Sequence, residues 1–124
     1  MKQVHDDSIT CLRYLPDGNQ LITNSKDHSL KVVDVRMFGV VRTIENENYY
    51  NSHETNQIGV SPTGRFVAVG SKNGKLILVN VDEGDIEEIY GNEHTTAIVG
   101  CDWSKRGGSY VATIDSIGNL FLWD

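Results

Sequence analysis

Short apolar segments, four to six residues long and rich in Val, Ile, Leu, Thr and Tyr, alternate along the chain with Gly, Asn, Asp and Pro punctuation. That texture predicts β-strands joined by tight turns, because β-branched and aromatic side chains suit a pleated surface and the punctuating residues supply turn conformations. The first three predicted strands are Ile9 to Tyr14, Gln20 to Asn24 and Leu30 to Val35. A weaker fourth follows near Val40 to Ile44, with a counterpart near Ile86 to Tyr90, and each trails into a polar loop. Leu76 to Val79 is apolar on both side-chain faces, as a strand requires when its sheet is covered on both sides.

The pattern repeats. Pro16-Asp17-Gly18 followed by Gln20 to Thr23 realigns with Pro62-Thr63-Gly64 followed by Phe66 to Val69 at an offset of 46, and Ser25-Lys26-Asp27 meets Ser71-Lys72-Asn73. A third copy runs from Trp103 to Gly107 at an offset of 43 from the second and continues as Tyr110 to Thr113 at an offset of 44. A period of this size indicates stacked supersecondary units, none of which can bury its apolar faces alone. The expected division is residues 1–45, 46–90 and 91–124, with four strands in each of the first two units and three in the last.

These residues carry a resemblance. A leading histidine, an apolar first strand, a Pro-x-Gly turn, a Ser-x-Asp turn and a third strand ending in Trp123-Asp124 are similar to WD repeats of β-propellers. The other two copies end as Val32-Val33-Asp34 and Leu78-Val79-Asn80. The segment from Ile9 to Asp27, with Asp17-Gly18-Asn19-Gln20-Leu21, and its continuation Leu30-Lys31-Val32-Val33-Asp34-Val35-Arg36 resemble the third-from-last blade of the autophagy-related protein 16 family. The likeness extends through Ser61 to Ser71 and reaches Leu120 to Trp123, while the linker Asn46 to Thr55 follows no such pattern. The resemblance implies an all-β WD-repeat β-propeller. It contributes three blades of a seven-blade ring, the last without its outer strand. Further blades are then expected in cis or in trans, since three cannot close the usual ring.

Composition narrows the function. The 124 residues are 39% hydrophobic and 23% charged, with a net charge of −6 from 17 acidic and 11 basic residues. That is the balance of a folded globular sequence, and an acidic excess disfavours nucleic acid, whose phosphates demand a concentrated Lys/Arg stripe. No stretch approaches the roughly 20 apolar residues that cross a bilayer, so direct membrane insertion is not expected. With no apolar secretory core after Met1, a cytoplasmic location is expected. Cys11 and Cys101 form no C-x-x-C pair and read as reduced core thiols.

His5 and His94 each stand four residues before an apolar strand residue, Ile9 and Ile98. The resemblance makes them structural histidines: the first is partnered by Ser25 or Thr23 and Asp27, the second accompanied by Trp123 but with Ile117 where a turn aspartate belongs. His5, Ser25 and Asp27 are also the residue types of a hydrolase triad, but recurrence of the histidine at one blade position favours scaffold, and no Gly-x-Ser-x-Gly elbow is present. His5, His28, His53 and His94 with the two cysteines lack metal-ligand spacing, so neither metal nor cofactor is expected. Gly70 to Lys75 superficially resembles a phosphate loop but connects two predicted strands without a following helix. Paired arginines for phosphoinositides are missing, Arg65 and Arg106 being isolated and Lys105-Arg106 the single basic doublet.

Lys26 and Lys72 occupy equivalent turns of successive copies, so they define a candidate rim for an acidic peptide or ubiquitin-like partner. Asp82, Glu83, Asp85, Glu87 and Glu88 fall toward an outer strand, where charge blunts edge pairing. The expected function is a non-catalytic interaction scaffold. The family resemblance implies the C-terminal docking module of an autophagy protein that positions ubiquitin-like conjugation machinery for lipidation at autophagosomal or endolysosomal membranes. It implies the conjugation complex as a partner through the full-length parent, with that segment and a coiled coil upstream. The alternatives are a WD adaptor of another pathway, such as a ubiquitin-ligase substrate receptor, and the hydrolase.

Overall fold

The computed structural model describes residues 1–51, 56–91, 93–105 and 110–124. Among these residues the secondary structure is β-strand alone: β1 (Ile9–Tyr14), β2 (Gln20–Ser25), β3 (Leu30–Asp34), β4 (Gly39–Ile44), β5 (Gly59–Val60), β6 (Phe66–Gly70), β7 (Leu76–Asn80), β8 (Asp85–Tyr90), β9 (Ile98–Trp103), β10 (Val111–Asp115) and β11 (Leu120–Trp123). They form three antiparallel sheets in chain order, β1-β2-β3-β4, β5-β6-β7-β8 and β9-β10-β11. This is consistent with the blade-by-blade layout of WD repeats, and among the described residues the three sheets do not close on one another as a ring. The hairpins turn where the repeat places its punctuation. Gly18 and Gly64 close equivalent turns at φ +73° and +74°, each donating its N–H to a carbonyl three residues back, on Leu15 and Ser61.

Strand bounds follow local chemistry. β3 ends at Asp34, one residue before the expected stop, because its carboxylate accepts the N–H groups of Arg36 and Met37 and starts the turn. Gly70 to Lys75 is a hairpin connection, with Ser71 donating to the Lys75 carbonyl and Gly74 to that of Ser71.

The second sheet explains why its strands are apolar on both sides. Val67, Val69, Ile77 and Val79 join Cys11, Ile22, Leu30, Val32 and Ile44 of the first sheet in one core. Ala68 and Leu76 point the other way and pack with Ile98, Cys101 and Val111 of the third, where Trp103 and Trp123 cover them. Each fully buried Val, Leu or Ile contributes about 1.5–3 kcal/mol, so these two interfaces are the main source of cohesion. Close backbone approach ties the second sheet to the third. A Cβ on Gly59 would lie 2.8 Å from the Trp103 nitrogen, and one on Gly70 would overlap the Ile98 side chain. Gln57 also forms a parallel bridge with Gly100. The third sheet's far face carries Ile114, Leu120 and Leu122, all exposed.

Candidate functional site: two buried histidine networks and the loops around them

At the end of β10 and β11 a directional chain of hydrogen bonds runs through the third sheet. Trp123 Nε1 donates to Thr113 Oγ1 at 2.8 Å, Thr113 Oγ1 lies 2.6 Å from His94 Nε2, and His94 Nδ1 lies 2.8 Å from Asp115 Oδ2. Because indole can only donate, the threonine hydroxyl is free to donate onward to Nε2, which assigns the proton of a neutral imidazole to Nδ1, facing the carboxylate. Phe121 packs edge-on against the His94 ring at 4.7 Å between centroids. Thr113 is fully buried. Burial pushes the Asp115 carboxyl upward, but bonds from His94, from Asn119 and from the Ile117 N–H outweigh it and hold the group well below the usual carboxylate range.

The first sheet builds a related network. His5 Nε2 lies 2.7 Å from Thr23 Oγ1, and His5 Nδ1 lies 2.9 Å from Asp27 Oδ2. Ser29 Oγ sits 3.2 Å from the same Nδ1 and donates to Asp27 Oδ1 at 2.6 Å. Desolvation raises the Asp27 pKa, but the Ser29 hydroxyl, the Asp6 N–H and His5 together bring it down to about 2. Valine stands at position 33, equivalent to Trp123, so the Thr23 hydroxyl faces the Lys31 carbonyl at 3.3 Å instead of an indole.

Two expectations change at residue level. Ser25 does not touch His5: Thr23 takes that place, and Ser25 Oγ instead donates to the Asp7 carbonyl and accepts the Asp27 N–H. The hydrolase triad of His5, Ser25 and Asp27 is therefore not assembled, and His5 is itself 5% exposed. In the third sheet Ile117 does occupy the turn position, yet the network is complete, because Asp115 at the strand end reaches Nδ1 from two residues earlier. Sequence reasoning missed Thr113 and Asp115. The signal available was a threonine in the same register as Thr23, at an offset of 90. Among the described residues the second sheet shows no such network: Val69 and Val79 stand where Thr113 and Trp123 do, and both are fully buried in the core.

Lys26 lies half-buried in the β2–β3 turn, with its N–H on the Ser8 carbonyl, and Lys72 is exposed in the β6–β7 turn, with its N–H on the Tyr50 carbonyl. Both turns sit at the end of the sheets that carries the histidine networks. The acidic residues at positions 82, 83, 85, 87 and 88 are exposed on and beside β8, the outer strand of the second sheet. Arg106, the linker residues 52–55 and His53 among them lie outside the described residues. Among the described residues no group of three or more His, Cys, Asp or Glu is arranged to hold a metal ion. Burial raises the Cys101 thiol far above its ordinary pKa, so that thiol is protonated.

Comparison with known proteins agrees with this geometry. Residues 2–34 match the family described as WD domain, G-beta repeat. Protein tipD of Dictyostelium discoideum is 28% identical over 127 aligned positions, covering all of this chain and 21% of that protein. Protein Atg16l2 of Mus musculus is 27% identical, covering 93% of this chain and 18% of its own length. Autophagy-related protein 16 of Arabidopsis thaliana is 26% identical, covering 96% and 23%. The chain thus spans about a fifth of the length of these relatives. By these comparisons the chain is similar to the WD-repeat regions of the autophagy-related protein 16 family.

Proposed function

We propose that the chain is a non-catalytic docking module of an autophagy scaffold, one that positions the ubiquitin-like conjugation machinery for lipidation at autophagosomal or endolysosomal membranes. The observation that carries this reading is the use of the His, Asp and Thr side chains. His5, Thr23 and Asp27 of the first network and His94, Thr113 and Asp115 of the second are committed to hydrogen bonds with one another, while residues of the turns around them are exposed. Autophagy enters through the names of the relatives Autophagy-related protein 16 and Autophagic-related protein 16.2. Residues 1–45, 46–90 and 91–124 act as successive blades of a seven-blade ring. The exposed Ile114, Leu120 and Leu122 support contact with further blades in cis or in trans.

In this reading Lys26 and Lys72 form the rim that meets an acidic or ubiquitin-like partner linked to the membrane. The conjugation enzyme binds elsewhere in the full-length parent, and the working location is the cytoplasm and the membranes to which the scaffold is recruited. The test is the double variant K26E/K72E in the intact protein, followed by fluorescence imaging of membrane recruitment and co-precipitation of the conjugation enzyme. Loss of recruitment with the enzyme still bound supports the reading. Unchanged recruitment overturns the assignment of this rim.

A further inference from the structure

We propose that a cleft at the opposite end of the sheets, where β1, β5 and β9 finish, is a docking site for an acidic peptide segment anchored by an apolar side chain. The inference rests on the interaction-module reading above but not on the Lys26 and Lys72 rim.

The cleft has a volume of about 360 Å³. Its floor is apolar: Ile58 is 2% exposed and Val60 is half-buried beside it. Tyr14, 64% exposed, and the rings of Pro16 and Pro62 form apolar walls. An apolar pocket with a few convergent polar groups is the usual form of a small binding site.

The polar groups set the sign of the ligand. Arg13 and Lys105 line the cleft against the single carboxylate of Asp102, a local charge of +1 (two cations less one anion) on a chain whose net charge is −6. The Arg13 guanidinium is positioned before any ligand arrives, donating to Gln57 Oε1 at 2.7 Å and to the Leu12 carbonyl at 2.9 Å. A planar fork with five donors has capacity beyond those two acceptors, which suits it to a carboxylate. The contrast with the other end of the sheets is direct. There, a cleft of about 420 Å³ is lined by Asp27, Glu45 and Glu47 alongside His28 and two tyrosines. The cleft beside Arg13 and Lys105 is thus the more favourable of these two for an acidic segment, and Lys26 and Lys72 are not among the residues that line the other.

The experiment uses fluorescence anisotropy on the intact protein with two capped probes, acetyl-Glu-Glu-Leu-Phe-Glu-amide and acetyl-Lys-Lys-Leu-Phe-Lys-amide, each carrying a fluorophore. The acidic probe is expected to bind at least tenfold more tightly than the basic one and to weaken with added salt. R13E and K105E should each weaken it at least fivefold, while R42E, an exposed position on the outer strand β4, leaves it unchanged. Lys105 is an exposed loop residue, so K105E tests the cleft even if R13E disturbs Gln57, and thermal melting checks both folds. Equal binding of the two probes, no binding of the acidic probe, or full binding by K105E overturns the proposal. Loss in K26E/K72E alone overturns the cleft while leaving the rim reading standing.

Discussion

Replacing Thr113 by valine removes one oxygen and keeps the shape of the side chain, and we expect it to be among the costliest single changes in the third sheet. The hydroxyl accepts from Trp123 at 2.8 Å and lies 2.6 Å from His94 Nε2 in a fully buried position. Valine leaves the indole N–H and an imidazole nitrogen without that partner. A net hydrogen bond is worth about 1 kcal/mol, and stranding a buried polar group costs about 1–3 kcal/mol, so the loss should be about 2–4 kcal/mol. Valine itself suits the strand: Val69 occupies the same position in the second sheet, with Val79 in place of the tryptophan. The cost therefore belongs to the stranded partners, and T113V combined with W123F should cost clearly less than the two single changes added together. Urea titration of the intact protein gives the stability. Hydrogen exchange should localise the loss to β9, β10 and β11, because repeat stability is built from local and nearest-neighbour terms. A T113V penalty below about 0.5 kcal/mol, or strict additivity in the double variant, would refute this account of the network.

Further predictions concern the first network, acid stability and the sheet interface. His5→Ala should lower the melting temperature, since its ring bridges Thr23 and Asp27; an unchanged melting curve would mean that the bridge carries no stability. Asp27 and Asp115 have folded-state pKa values below those of an unfolded chain. Their contribution is therefore present above about pH 4 and disappears as pH falls, toward about pH 2 for Asp27. Acid unfolding of D27N should begin from a lower plateau and show a shallower pH dependence than the parent; parallel curves would contradict the assignment. Gly70→Ala should destabilise by roughly 1–3 kcal/mol, because its Cβ would overlap the branched Ile98 side chain, with exchange rising in β6 and β9 first.

Most of the strand plan was legible because each strand advertises itself locally. Ile9–Tyr14 is exact, and β2, β3, β4 and β8 fall within a residue of their expected ends. Only two residues of β5 are extended, and its Gly59 is there for the nearby backbone of β9, a constraint that strand propensity does not register. The leading histidines and Trp123 were expected from the WD-repeat resemblance. Asp115 was not, because the fixed offset from Asp27 leads to Ile117, and only the fold shows that a carboxylate at the strand end reaches the same ring nitrogen. Ser25 and Thr23 were both open as partners of His5, and the Thr23 hydroxyl is the one beside the imidazole. The Arg13 cleft could not be read in advance, since Arg13, Ile58 and Lys105 come from three copies and meet only when the sheets pack.

The most direct test of the docking-module account is made in cells that express the full-length parent with or without residues 1–124. Lipidation of the ubiquitin-like modifier is measured by gel mobility, together with recruitment of the scaffold to membranes. The account predicts that removing these residues abolishes recruitment and lowers lipidation at those membranes while the conjugation enzyme remains bound to the rest of the protein. Unchanged recruitment and lipidation would contradict it.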